Sequence, residues 1–142
     1  MIAARILNSG TASGSVLHLE EPLSFWGGFD PISGAIVDVH HPQRGENLAG
    51  RIVLMASSRG SGTAPGALAE SIRRQTGPAA LVMVEADVNL AIGAAVAATL
   101  YGRSIPVLAL SSDDFANVAT WAAVEIADDG ITQIPLPLVG RG

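Results

Sequence analysis

No cysteine occurs among the 142 residues. The chain therefore has no thiolate for zinc or an iron–sulfur cluster and no disulfide framework of the kind that marks secreted domains. A reducing, cytoplasmic setting is the expectation. Positive charge is scarce too: the eight basic residues are all arginine, against thirteen acidic ones, for a net charge of -5. A nucleic-acid binder needs a basic face to neutralise phosphates, so that partner class is excluded. No apolar run is long enough for a bilayer, because the most apolar stretch, Leu90 to Leu100, is short and interrupted by Gly93. The start, Met1 to Ala4, runs straight into a strand-like pattern with no separate charged region and cleavage site, so no signal peptide and no membrane partner are expected. Aromatics make up only 4%, and Phe25, Trp26 and Phe29 fall together in one short segment.

Apolar side chains are plentiful, at 49%. A chain of this length buries a real core without metal or disulfide support, and one domain over residues 1–142 is expected, its tail fading from about residue 131. The apolar excess points to a protein partner.

The chain is organised around Arg51 to Ile72. Ile52 to Met55 is a short continuous apolar run, the pattern of a strand buried on both faces, and Ala67, Leu68 and Ile72 recur at helical spacing. Between them lies Ser57-Ser58-Arg59-Gly60-Ser61-Gly62-Thr63. Glycines let backbone amides converge, and a helix start leaves its first N–H groups unpaired with partial positive charge, so such a loop suits an anion. The same residues also serve as an ordinary N-cap. A phosphate-binding P-loop is excluded, since Thr63, Ala64 and Pro65 follow where that motif has Lys and Ser or Thr.

Elsewhere, Ala4–Leu7 and Gly14–Leu19 read as antiparallel strands about the turn at Asn8 to Gly10. Glu20 to Asp30 is a loop packed by its own aromatics, either a plug for the core or a platform for a ligand or second chain. Gly34 to His40 resumes strand alternation. Neighbouring side chains on a strand point apart, so the pair His40 and His41 makes a poor metal site, and no metal ligand set is expected. Ala79–Val84 and Ile105–Leu110 read as buried strands, and Ala122–Ala127 as a strand near the end. Asp87 caps a helix running from Val88 to Tyr101 and closed by Gly102, with Ile92, Val96 and Leu100 toward the sheet. A short helix spans Asp113–Ala119. This order suggests an α/β fold of layered β/β/α type, with helices on one face of a largely parallel sheet.

The run Pro22-Leu23-Ser24-Phe25-Trp26-Gly27-Gly28-Phe29-Asp30-Pro31 with Gly34, the His41-Pro42 step with Gly45, and Arg59-Gly60-Ser61 resemble the small subunit, or swivel domain, of aconitase X. The likeness covers Leu7 to Leu110. It implies a swivelling β/β/α domain that closes over the cleft of a large subunit carrying an iron–sulfur cluster, so no cofactor is expected on this chain. By position, the resemblance makes Ser61 the proton acceptor. Arg59, Gly60, Gly62 and Thr63 become the candidate substrate-binding residues around it. It further implies dehydration of a small hydroxy acid, either cis-3-hydroxy-L-proline or mevalonate 5-phosphate. Archaeal members tend to carry Lys before the Gly-Ser and Thr just after it, so the Arg59-Gly60-Ser61-Gly62 order favours the hydroxyproline branch. The chemistry is coherent without the name. Serine is a weak base, and a helix start, glycine amides and an arginine are the groups that stabilise its alkoxide.

Two other classes remain open: a phosphoryl carrier, which wants a histidine in the glycine loop where none stands, and a non-catalytic docking module.

Overall fold

The computed structural model describes residues 1–59, 62–127 and 130–135. In chain order the elements are β1 (Ile2–Ala3), β2 (Arg5–Asn8), β3 (Ala12–His18), β4 (Ile52–Leu54), α1 (Ala64–Arg74), β5 (Ala80–Met83), α2 (Val88–Tyr101), β6 (Val107–Ala109), α3 (Ser112–Val118), β7 (Ala123–Ala127) and β8 (Gly130–Gln133).

The strands follow the order β1-β8-β7-β3-β4-β5-β6-β2. β3 through β6 are parallel, with Val53 of β4 held between Leu17 and Leu81. Their near-continuous hydrophobicity has a physical cause, for both faces are covered. One face contributes Leu17, Val53, Leu81, Met83 and Val107 to a core shared with Leu68, Ile72, Leu90, Ala94 and Ala97 of α1 and α2. The opposite face places Ile52, Leu54, Val82 and Leu108 against Val124, Ile126 and Ile131 of the antiparallel layer. β3 belongs to both layers: Ala12 to Ser15 pairs with β7, and Val16 to His18 with β4. The expected β/β/α layering is the observed one. α3 departs from it by packing Phe115 and Val118 into the second core, away from the other two helices.

Three local expectations give way. β2 and β3 do not pair with each other; β2 is the far edge, antiparallel to β6. Gly34 to His40 is not a strand. Only the isolated bridges Phe29 to Ile36 and Ala35 to Asn47 form there, and Val37 and Val39 are exposed. α2 is also turned the other way round. Its small residues Gly93, Ala94 and Ala97 are buried, whereas Ile92, Val96 and Leu100 face outward. The cause is close helix packing: a Cβ at Gly93 would lie 2.8 Å from the Pro65 carbonyl oxygen, so only glycine lets α1 and α2 approach this far.

Candidate functional site

β4 and β5 are each followed by a loop and then a helix, and the two loops meet at the carboxyl ends of these parallel strands, the usual place for a crevice in such sheets. The loop after β4 is braced from behind. Val84 and Glu85 donate their N–H groups to the Ala56 carbonyl at 3.1 and 2.9 Å, and Met55 N–H donates to Val82 at 3.0 Å. Ser57, Ser58, Glu85, Ala86, Asp87, Val88 and Asn89 line a polar cleft of about 310 Å³.

The side-chain link across this cleft is Ser58 to Asp87, the serine hydroxyl donating to Oδ2 of the carboxylate. Oδ1 of the same carboxylate accepts from Asn89 N–H at 2.8 Å and caps α2. Asp87 thus ties the loop to the helix start. Of these two roles, the cap alone is legible in the sequence. Alanine at position 87 is expected to cost about 1–2 kcal/mol, the usual loss for a helix cap, and to release Ser58. Asparagine keeps an acceptor for the cap and should lie within a few tenths of a kcal/mol of wild type. Urea unfolding midpoints of the two variants check this.

Of the predicted site residues, Gly60 and Ser61 lie outside the described residues. Arg59, Gly62 and Thr63 stand on either side of them at this end of the molecule. Arg59 N–H donates to the Leu23 carbonyl at 3.3 Å, and its half-exposed guanidinium lies 3.5 Å from the Glu21 carboxylate. An exposed pair of this kind is worth little, so Arg59 can exchange Glu21 for a ligand carboxylate. Gly62 has open space where a side chain would stand. Thr63 is the N-cap residue of α1 with its carbonyl accepting from Gly66, Pro65 occupies the first turn, and that turn holds no acidic residue to neutralise the helix start.

Arg73 and Arg74, at the far end of α1, are engaged by Glu70 at 2.6 and 2.9 Å. These bonds hold the Glu70 carboxyl down at about 2, with the Arg73 hydrogen bond the leading cause. The pair therefore stays charged at neutral pH and is lost only as pH falls below the usual glutamate range.

No histidine lines the cleft. His41 is buried as a brace, Nδ1 accepting from Gln43 N–H at 3.0 Å and Nε2 reaching the Glu21 carbonyl at 3.0 Å. His18 meets the ring of Phe115 edge-on at 5.6 Å. Among the described residues no three of His, Asp and Glu come together as a metal site, and cysteine is absent. The residues present do not fit an iron–sulfur cluster. Nor is any helix among the described residues long and apolar enough to cross a membrane.

Comparison with known proteins agrees with this geometry. A family model described as the aconitase X swivel domain matches residues 1–134. The cis-3-hydroxy-L-proline dehydratase of Pseudomonas aeruginosa is 40% identical over 144 residues, which cover 99% of this chain and 25% of that protein. The phosphomevalonate dehydratase small subunit of Methanothermobacter thermautotrophicus is 32% identical over 113 residues, covering 80% of this chain and 82% of that one. The crystal structure of Thermococcus kodakaraensis aconitase X in its holo form superposes with a TM-score of 0.78 at 27% identity, over 94% of this chain and 97% of the matched chain. The chain thus spans a quarter of the length of the Pseudomonas relative and most of the archaeal subunit. With β/β/α layers, a braced loop opening beside two helix starts, and a family match over nearly its whole length, the chain belongs to the aconitase X swivel-domain family.

Proposed function

We propose that this chain is the swivelling part of an aconitase X type hydro-lyase that removes water from cis-3-hydroxy-L-proline and works together with a larger chain. The observation that carries the substrate is the 40% identity to the Pseudomonas cis-3-hydroxy-L-proline dehydratase, which extends over 99% of this chain.

Ser61 is the assigned base. It takes the proton from the carbon next to the substrate carboxylate as the carbon–oxygen bond of the hydroxyl breaks, so that a carbon–carbon double bond and one water result. The start of α1, with no acid in its first turn, and the Arg59 guanidinium supply the positive field that an alkoxide at Ser61 requires. Arg59 also suits the substrate carboxylate, with which a guanidinium makes two parallel hydrogen bonds. Gly62, with open space where a side chain would stand, keeps its side of the approach clear, and Gly60 is assigned to the same loop on sequence alone. An iron–sulfur cluster is assigned to the larger chain. Alone, this chain should fold and give no turnover with either candidate substrate; robust dehydration by the isolated chain would sink the two-part reading.

A second substrate has an observation of its own. The archaeal relatives that this chain matches over most of their length are phosphomevalonate dehydratase small subunits. Mevalonate 5-phosphate carries two separated anions and calls for more cation than the proline does. On α1 the next basic residues, Arg73 and Arg74, are held by Glu70 at its far end. The complete enzyme is therefore expected to show the higher kcat/KM on cis-3-hydroxy-L-proline in a side-by-side assay. A clear preference for the phosphorylated acid would reverse the assignment.

A further inference from the structure

Apolar surface adjoins the polar cleft at Val88. α2 carries no charged residue in its 14 positions. Val88, Ile92, Val96 and Leu100, one turn apart along its outer face, are 64%, 47%, 37% and 65% exposed. Ala95 and Thr99 form a lower row beside them, and the two rows enclose a shallow groove of about 340 Å³. A ridge four residues in period with a low row beside it is the shape that receives another helix. The ridge begins at Val88, which also lines the cleft.

Across the loop, Trp26 is 62% exposed over a hollow lined by Phe25, Phe29, Pro31, Gly66 and Ala67. The bond from Arg59 N–H to the Leu23 carbonyl ties that segment to the loop. The first turn of α1 joins the two patches, since Pro65 meets α2 at Gly93 while Gly66 and Ala67 line the hollow. An exposed tryptophan and an uncharged helix face around a polar cleft are the composition of an interface core, with aromatics enriched and charge depleted.

A second copy is a poor occupant. It would bring two chains of net charge -5 together, with Glu85 and Asp87 of one cleft facing those of the other. The Pseudomonas relative instead carries three quarters of its length outside the matched domain. We infer that Trp26 and the Val88–Ile92–Val96–Leu100 ridge form the surface on which the larger aconitase X chain docks, through an apolar, helix-bearing face of its own. This inference rests on the two-part function proposed above.

The test is titration calorimetry of the chain against the aconitase X large chain of the same genome, with dehydration assayed on the same mixtures. The double variant Ile92→Glu and Val96→Glu should bind roughly 100-fold more weakly, because two charges would be buried unpaired. Trp26→Ser should weaken binding about tenfold, and all three positions are exposed enough for the free chain to fold as before. Thr11→Glu, at the exposed residue just before β3 and beside β7, should bind like wild type. At saturating large chain the weakened variants should recover wild-type kcat and KM, since neither replaces a residue of the loop that carries Ser61 and the backbone bond from Arg59 to Leu23 does not involve the Trp26 side chain. Unchanged affinity in both α2 and Trp26 variants would overturn the surface, as would loss of a self-dimer in the double variant with large-chain binding intact. A wild-type complex that forms through these residues but dehydrates neither acid would overturn the function and leave the surface standing. Failure of the wild-type chains to associate would overturn both.

Discussion

Ser61→Ala is expected to leave the assembled enzyme intact and to lower kcat by roughly 100- to 10,000-fold, the range for loss of a positioned general base. KM should change little, because the hydroxyl is assigned to the proton and the carboxylate to Arg59. Ser58→Ala is the informative comparison. It removes the bond to Asp87 and should lower stability by about 1 kcal/mol while leaving most of the turnover. Stopped-flow or steady-state assays on both variants, with complex formation checked by gel filtration, separate the two serines. Near-normal turnover in Ser61→Ala would remove the base assignment and return that residue to the part of a loop spacer. Strong loss in Ser58→Ala with Ser61→Ala silent would move the chemistry to the Ser58–Asp87 link.

Gly34→Ala should produce the largest loss of stability among single-methyl additions. Gly34 has φ +83°, a conformation that side chains resist, and a Cβ there would lie 2.3 Å from the Thr76 carbonyl oxygen and 2.9 Å from Asn47 Oδ1. Neither neighbour moves easily. Thr76 Oγ1 donates to the Pro31 carbonyl at 2.5 Å, Asn47 Nδ2 to the Ser33 carbonyl at 2.8 Å, and Leu48 N–H to Gly34 itself at 2.8 Å. Backbone strain of about 1–3 kcal/mol and overpacking of about 1–3 kcal/mol add, giving on the order of 3 kcal/mol or more and a Tm lower by about 10 °C or more. Gly45→Ala separates the causes: φ is +95° there, but nothing lies within 4 Å of the added methyl. It should lose only the strain contribution. Equal melting temperatures for the two variants would dismiss the clash with Thr76.

Local signals proved readable where the physics is local. Asp87 and Gly102 bound α2 where the cap rules place them, because a cap satisfies amides within its own turn. The buried strands β4, β5 and β6 announced themselves as short apolar runs for a similar reason, each being covered on both faces. Orientation was another matter. A helix that is apolar all round has no direction written in its periodicity, and α2 was settled by the contact of Gly93 with Pro65, a partner on another element. Val37 and Val39 alternate like a strand, yet the segment makes single bridges while Ile36 alone enters the core. At the site, the strand before the glycine loop and the helix start after it were legible in order. The links from Ser58 to Asp87 and from Arg59 to Glu21 were not, since each joins residues that only the fold brings together.

The sheet order has a kinetic consequence. The parallel centre is assembled from β3, β4, β5 and β6, but the first strands find their partners only at the other end of the chain, Ile2 beside Ile131 and Ile6 beside Leu108. During synthesis at about 5–20 residues per second, β1 and β2 wait unpaired for several seconds or longer, offering open edges while the middle of the chain collapses. Such non-local closure slows folding and favours aggregation over that interval. The arginine at position 5 stands on the waiting edge of β2, and a charge there discourages pairing with a stranger strand until β6 arrives.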